Sequence, residues 1–183
     1  MTPTGLRKDE LTPDDLVVVW LAHPDREAVS RNGHEPTSDL AIHLAIHAVR
    51  GDIGSVVHAH LPAAMALTLA GEVPDAAALP ETALLLPRLP FLSLGVPGSA
   101  ELAGRIAAAL SESTEPPSPL ADAVLLERHG AVAVGGDPDQ AVDRLELVEV
   151  LCRTWRDALL IRAARSSLGM VVQPSPESQS EGK

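Results

Sequence analysis

Val56-Val57-His58-Ala59-His60 is a β-type apolar run that closes on two histidines one residue apart. Side chains alternate faces along a strand, so His58 and His60 point to the same side and are spaced to close on one metal ion. The alternative is a pair of core histidines, each satisfied by one backbone partner, although burying two same-face imidazoles without good partners is costly. Helical signals bracket this strand. Ser38 stands as a cap for a helix from Asp39 to about Arg50, with Asp39 against the positive end of the helix dipole, and Gly51-Asp52-Ile53-Gly54 stops it. Pro62 opens another helix that runs to about Gly71. Strands alternating with helices make an α/β layered domain in which helices cover a central sheet.

The same alternation extends in both directions. Upstream, Thr12 caps a short helical turn with Pro13 in its first position, Leu16 to Trp20 reads as a strand, and Arg26 to Pro36 as a polar loop. Downstream, the Pro-rich segment Pro80 to Pro97 holds a short strand around Phe91-Leu94, and Gly98-Ser99 starts a helix to Leu110. Residues Ser111 to Pro119 form a surface loop by composition. Ala123 to Leu126 and Ala131 to Val134 are two short strands flanking Glu127-Arg128-His129-Gly130. Beyond the break at Gly135-Gly136-Asp137-Pro138, the spacing of Val142, Leu145, Val148, Leu151, Trp155 and Leu159 predicts one long amphipathic helix from Asp139 to about Arg165. The expected organisation is one domain over 1–165 with a disordered tail over 166–183, most clearly from Gln173 onward.

Composition narrows the function classes. With 14 Lys and Arg against 25 Asp and Glu, the formal net charge of -11 is the opposite of a nucleic-acid footprint, so no nucleic-acid partner is expected. No apolar run approaches a membrane span and the first residues lack the pattern of a signal peptide, which predicts a soluble, cytoplasmic protein without a membrane partner. Cys152 is the lone cysteine and sits in an apolar helical stretch, where it reads as a buried structural thiol. His129 follows the second strand pattern and either joins His58 and His60 as a third ligand or marks a turn; three imidazoles from two strand ends would make an open metal site. His43 and His47, four apart on a predicted helix, are a rival pair, while His23 and His34 lie in polar loops and read as solvated.

Five motifs occur together and in order: Thr2-Pro3-Thr4-Gly5, Leu11-Thr12-Pro13-Asp14-Asp15-Leu16, Pro36-Thr37-Ser38-Asp39 with His43, Val56 to His60, and Leu125-Leu126-Glu127-Arg128-His129-Gly130. In this set and spacing the chain resembles the class II aldolase/adducin family, which includes sugar-phosphate aldolases, 4-epimerases, dehydratases and the non-catalytic adducin heads. The resemblance implies a layered α/β sandwich, its central sheet largely antiparallel or mixed with helices on both faces. It implies that His58, His60 and His129 hold Zn2+ or another divalent metal, and that Asp39 is the acidic group beside it, catalytic and also a possible ligand. It implies that Thr4, Gly5, Thr37 and Ser38 hold a substrate phosphate, that the substrate is a phosphorylated ketose cleaved in a retro-aldol step, and that the protein forms a homotetramer.

Two features depart from the family pattern. An Asp at position 39, where the aldolases typically have Glu, resembles the 4-epimerases, whereas Leu79 to Ala83 and Val96 to Leu102 look more like the aldolase branch. Family members also carry a Gly-Asn-x-Ser phosphate loop before the Thr-Pro-Thr-Gly turn and a Tyr that protonates the departing aldehyde oxygen; this sequence begins at Met1 and contains no Tyr. The expected activity is therefore aldolase, with 4-epimerase and a non-catalytic adducin-like role as the alternatives.

Overall fold

Pairing in the main sheet follows the strongest apolar runs of the chain. A computed structural model describes residues 1–112 and 119–169. In chain order the elements are β1 (Val17–Val18), β2 (Val29–Ser30), α1 (Leu40–Val49), β3 (Ser55–Ala59), α2 (Pro62–Leu69), α3 (Pro80–Leu85), β4 (Phe91–Leu92), α4 (Ala100–Ser111), β5 (Ala123–Leu126), β6 (Gly130–Gly135) and α5 (Pro138–Ser167). Four strands form the main sheet in the order β3-β6-β5-β4. Antiparallel ladders join β3 to β6 and β6 to β5, while β4 runs parallel to β5, so the sheet is mixed as expected.

Strand parity sorts the core into two layers. Val56, Val124, Leu126, Val132 and Val134 face Ile42 and Ile46 of α1 and Leu102, Ala103, Ile106 and Leu110 of α4. On the opposite face, Ala123, Leu125, Ala131 and Ala133 meet Ala63, Ala64 and Leu67 of α2 and Leu145, Val148 and Cys152 of α5. Both central strands are buried along their whole length, which is why they read as continuous apolar runs rather than alternating ones. Alanines on the second face let the larger side chains of α5 approach closely. Burial of each large aliphatic side chain contributes about 2 kcal/mol.

Several local expectations are corrected. Ser38 does not cap α1: Asp39 occupies the cap position without a side-chain cap bond, and the Thr37 hydroxyl instead accepts from the Asp39 amide at 3.3 Å. The strand expected over Leu16 to Trp20 is cut to Val17–Val18, because the chain turns back through the Trp20–His23 and His23–Arg26 backbone bonds, and its partner β2 lies in the segment read as a polar loop. The Pro-rich segment contains α3, where Pro80 sits in the first turn and costs no hydrogen bond. Asp137 caps α5 by accepting from the Gln140 amide at 2.8 Å, one residue earlier than the spacing suggested, and the helix continues past Arg165 to Ser167. Most of the loop expected after Ser111, residues 113–118, and the tail over 170–183 lie outside the described residues. Among the described residues no helix is long and apolar enough to cross a membrane.

Candidate metal centre

His58 is half-buried on β3, opposite Val132 of β6, and so faces the layer of α1 and α4. His60 lies just past the end of the strand on the same side and is exposed. The third histidine comes from the hairpin between β5 and β6, whose loop closes through the His129 amide bonding to Leu126 O at 3.2 Å. Two backbone features shape that loop. Arg128 takes a left-handed φ of 56°, and Gly130 a φ of 111°. A Cβ on Gly130 would collide with Ala59 O and lie 2.9 Å from His60 Cα, so the two histidine-bearing segments touch backbone to backbone and glycine alone fits.

The three rings converge. Their centroids are 5.4 Å apart for His58–His60, 4.9 Å for His58–His129 and 5.0 Å for His60–His129. One ligating atom from each lies within 4.8 Å of the others, and no other group of three metal-ligating side chains does so among the described residues. The orientation of His58 is explicit: Nδ1 lies 2.9 Å from Ala131 O, an acceptor, so Nδ1 carries the proton and Nε2 the lone pair. That Nε2 is buried and has no hydrogen-bond partner. Burial, the largest cause, pushes His58 and His129 below the usual histidine range, neighbouring imidazoles push the same way, and the Asp39 charge opposes them. A buried imidazole lone pair without a partner, oriented by a backbone carbonyl and flanked by two further imidazoles, is a donor set suited to a divalent metal ion.

Asp39 stands half-buried at the start of α1, close enough for its charge to act on His43, His58 and His129, but its carboxylate is outside the converging ligand atoms. His43 and His47 belong to no group of three converging ligand atoms among the described residues. His43 is pushed down to about 4, first by burial and then by the neighbouring His58 and His47. His34, expected to be solvated, is partly buried with Nε2 3.2 Å from an Asp15 carboxylate oxygen.

The residues assigned to a phosphate are brought side by side. Thr2 to Thr4 runs antiparallel to Glu35–Thr37, through Thr4 N–H to Glu35 O at 3.1 Å and Thr37 N–H to Thr2 O at 3.2 Å. Gly5 follows at a φ of 73°, a turn conformation that suits glycine. Thr37 and Ser38 lead directly into Asp39, so this turn and the histidine trio meet at the head of α1. Lys8 donates to Pro3 O at 2.6 Å and adds a cation beside the turn. Sequence reasoning missed Lys8, the Ala131 carbonyl and Glu149, whose carboxylate accepts from the Ala63 amide at 3.1 Å and anchors the helix that follows His60. Only the antiparallel register of β3 on β6 reveals Ala131, and no local pattern marks Glu149.

A mixed sheet between two helical layers, with a His-x-His strand end facing a histidine hairpin, defines a class of layered α/β proteins with a candidate metal centre at the sheet end. The chain belongs to the class II aldolase and adducin N-terminal domain family, whose model matches residues 1–156. It is 30% identical over 155 residues to an L-fuculose phosphate aldolase of Methanococcus maripaludis, covering 81% of this chain and 73% of that protein. It is 29% identical over 162 residues to a methylthioribulose-1-phosphate dehydratase of Acidiphilium cryptum, covering 82% of this chain and 71% of the relative. Among solved structures, the L-fuculose-1-phosphate aldolase of Thermus thermophilus superimposes with a TM-score of 0.69 at 27% identity, covering 89% of this chain and 78% of the other. The relatives are thus sugar-phosphate aldolases and a dehydratase, and the chain is of class II aldolase type.

Proposed function

We propose that the protein is a zinc-dependent aldolase that cleaves a phosphorylated ketose, by a retro-aldol step, into a ketone phosphate and an aldehyde. The observation that supports this most is the buried, unpartnered Nε2 of His58 within the imidazole trio. His58, His60 and His129 hold the ion; when bound it supplies Lewis acidity that draws charge from the ketose carbonyl as the carbon–carbon bond breaks. Asp39, half-buried beside the trio, moves the proton and remains available as an additional ligand. Thr4, Gly5, Thr37 and Ser38 bind the phosphate through hydroxyls and turn amides, helped by Lys8 and the positive end of α1. This local field acts in a chain of net charge -11 because the distant carboxylates are screened. A homo-oligomer, taken as a tetramer, belongs to the same reading and is supported by Leu160 and Ile161, which are exposed on α5.

Aldehyde release from a panel of phosphorylated ketoses tests the proposal. Turnover is expected to vanish with chelator, return with zinc, and fall by on the order of a hundredfold or more in His60→Ala. Wild-type turnover in His60→Ala overturns it. Asp39 itself supports a second reading, a sugar-phosphate 4-epimerase sharing the bond-breaking step, which would produce a stereoisomer without free aldehyde. Absence of either product, despite bound zinc, favours the non-catalytic adducin-like reading.

A further inference from the structure

Thr68 lies in the last turn of α2, on the far side of the hairpin from His58, and is buried at 4% exposure. Its hydroxyl donates to Ala64 O at 2.9 Å, the ordinary back-bond of a helical threonine. That leaves a lone pair of Oγ1 free, and the backbone amide of Arg128 donates to it at 2.9 Å. Arg128 is the one non-glycine residue with positive φ among the described residues, and it immediately precedes His129. A left-handed arginine persists only where the surroundings hold it. The Arg128 side chain does not provide that restraint, since it is exposed and, among the described residues, pairs only with its neighbour Glu127 at 3.2 Å. The loop is instead pinned on two sides. Gly130 abuts Ala59 and His60 on one, and the Thr68 hydroxyl holds Arg128 on the other.

We infer that Thr68 is a positioning residue for the metal centre: its hydroxyl locks the left-handed Arg128 turn and thereby keeps His129 in ligand register with His58 and His60. It acts through the backbone and touches neither metal nor substrate. The histidine trio has one part at the end of the hydrogen-bonded β3 strand, which carries His58 and leads into His60, and one part on a loop with a left-handed arginine, which is where a restraint has most effect. Outer restraints of this kind change metal affinity by roughly ten- to a hundredfold when removed.

The inference rests on the metal site proposed above, and the test separates the two. Zinc affinity of the folded full chain is measured by chelator competition for the wild type, Thr68→Val and Thr68→Ser, together with the visible spectrum of the Co2+ form and the melting temperature of the metal-free form. Thr68→Val, which keeps shape and removes the hydroxyl, is expected to bind zinc about tenfold or more weakly and to shift the Co2+ bands. Thr68→Ser is expected to restore affinity to within about threefold of the wild type, because the hydroxyl returns. A purely structural role would lower the melting temperature of Thr68→Val while leaving zinc affinity and Co2+ bands unchanged, and that result overturns the inference. Should Thr68→Val fail to fold, Thr68→Ala, which also removes the hydroxyl but adds no new bulk, is measured in the same way; it is expected to bind zinc about tenfold or more weakly, and unchanged affinity and Co2+ bands overturn the inference. A wild type that binds no zinc overturns both the metal site and the role of Thr68, whereas a zinc-binding wild type matched by Thr68→Val overturns only the latter.

Discussion

His58 owes its orientation to the nitrogen that does not face the trio. With Nδ1 committed to Ala131 O, the ring cannot flip without abandoning a buried carbonyl, and Nε2 stays directed at His60 and His129. His43 behaves differently. It is half-buried beside the trio without entering it, and its pKa falls from 6.5 to about 4 because desolvation, His58 and His47 all oppose a positive charge. A base whose pKa is depressed by folding contributes stability that is complete above the unfolded value of 6.5 and is lost as pH falls toward about 4, because the unfolded chain takes up the proton first. His47, His58 and His129 are shifted in the same direction. In urea titrations of the metal-free protein, stability is therefore expected to drop steadily below pH 6.5, with His43 accounting for on the order of 2–3 kcal/mol by pH 4. His43→Asn should flatten that slope by about the same amount, and an unchanged slope would contradict the assignment.

Between elements, the junction of α1, α4 and β5 depends on one buried arginine. Arg50 ends α1 at 5% exposure and donates to Leu110 O at 2.8 Å, Ala121 O at 2.9 Å, Asp52 at 2.8 Å and Asp122 at 3.1 Å. Asp122 is in turn held by Arg144 of α5 at 2.6 Å, so a single chain of contacts ties both helical layers to the sheet end away from the histidines. A lysine carries the charge but not the planar fork. Arg50→Lys is expected to leave at least one buried carbonyl unpaired and to cost about 2–3 kcal/mol, read as a lower denaturation midpoint at unchanged slope. Elements differed in how plainly they could be read. The apolar period of α5 and the start signal at Ser99 are local, so the long helix and α4 appear within a residue or two of where the pattern puts them, Ser99 accepting from the Leu102 amide at 3.2 Å. The helix over Pro80–Leu85 was hidden because prolines signal both loop and first helical turn. The β1–β2 pair was hidden because two residues per strand carry no period.

Across the whole molecule, the proposed metal, held by the β3 end and by the β5–β6 hairpin, would crosslink segments far apart in the chain and bind the folded state alone. Zinc at a hundred times its dissociation constant is expected to add about 2.7 kcal/mol, or raise the melting temperature by roughly 5–10 °C in a domain of this size. Calorimetry with and without chelator checks this, and His60→Ala should show no difference between the two. The alternation of strands and helices, the shared face of His58 and His60, and the apolar runs that fill both layers are legible in the sequence, because strand parity and helix period are properties of neighbouring residues. Packing between distant segments brings the His129 ring beside those of His58 and His60, sets the Asp39 carboxylate apart from the converging imidazole atoms, and places the Ala131 carbonyl and the Thr68 hydroxyl against His58 and Arg128. Those facts depend on the register of β3 on β6 and on Gly130 seated against Ala59, contacts set by packing between distant segments that no local pattern encodes. The His-Ala-His run thus specified two same-face imidazoles through backbone geometry, while long-range packing supplied the third.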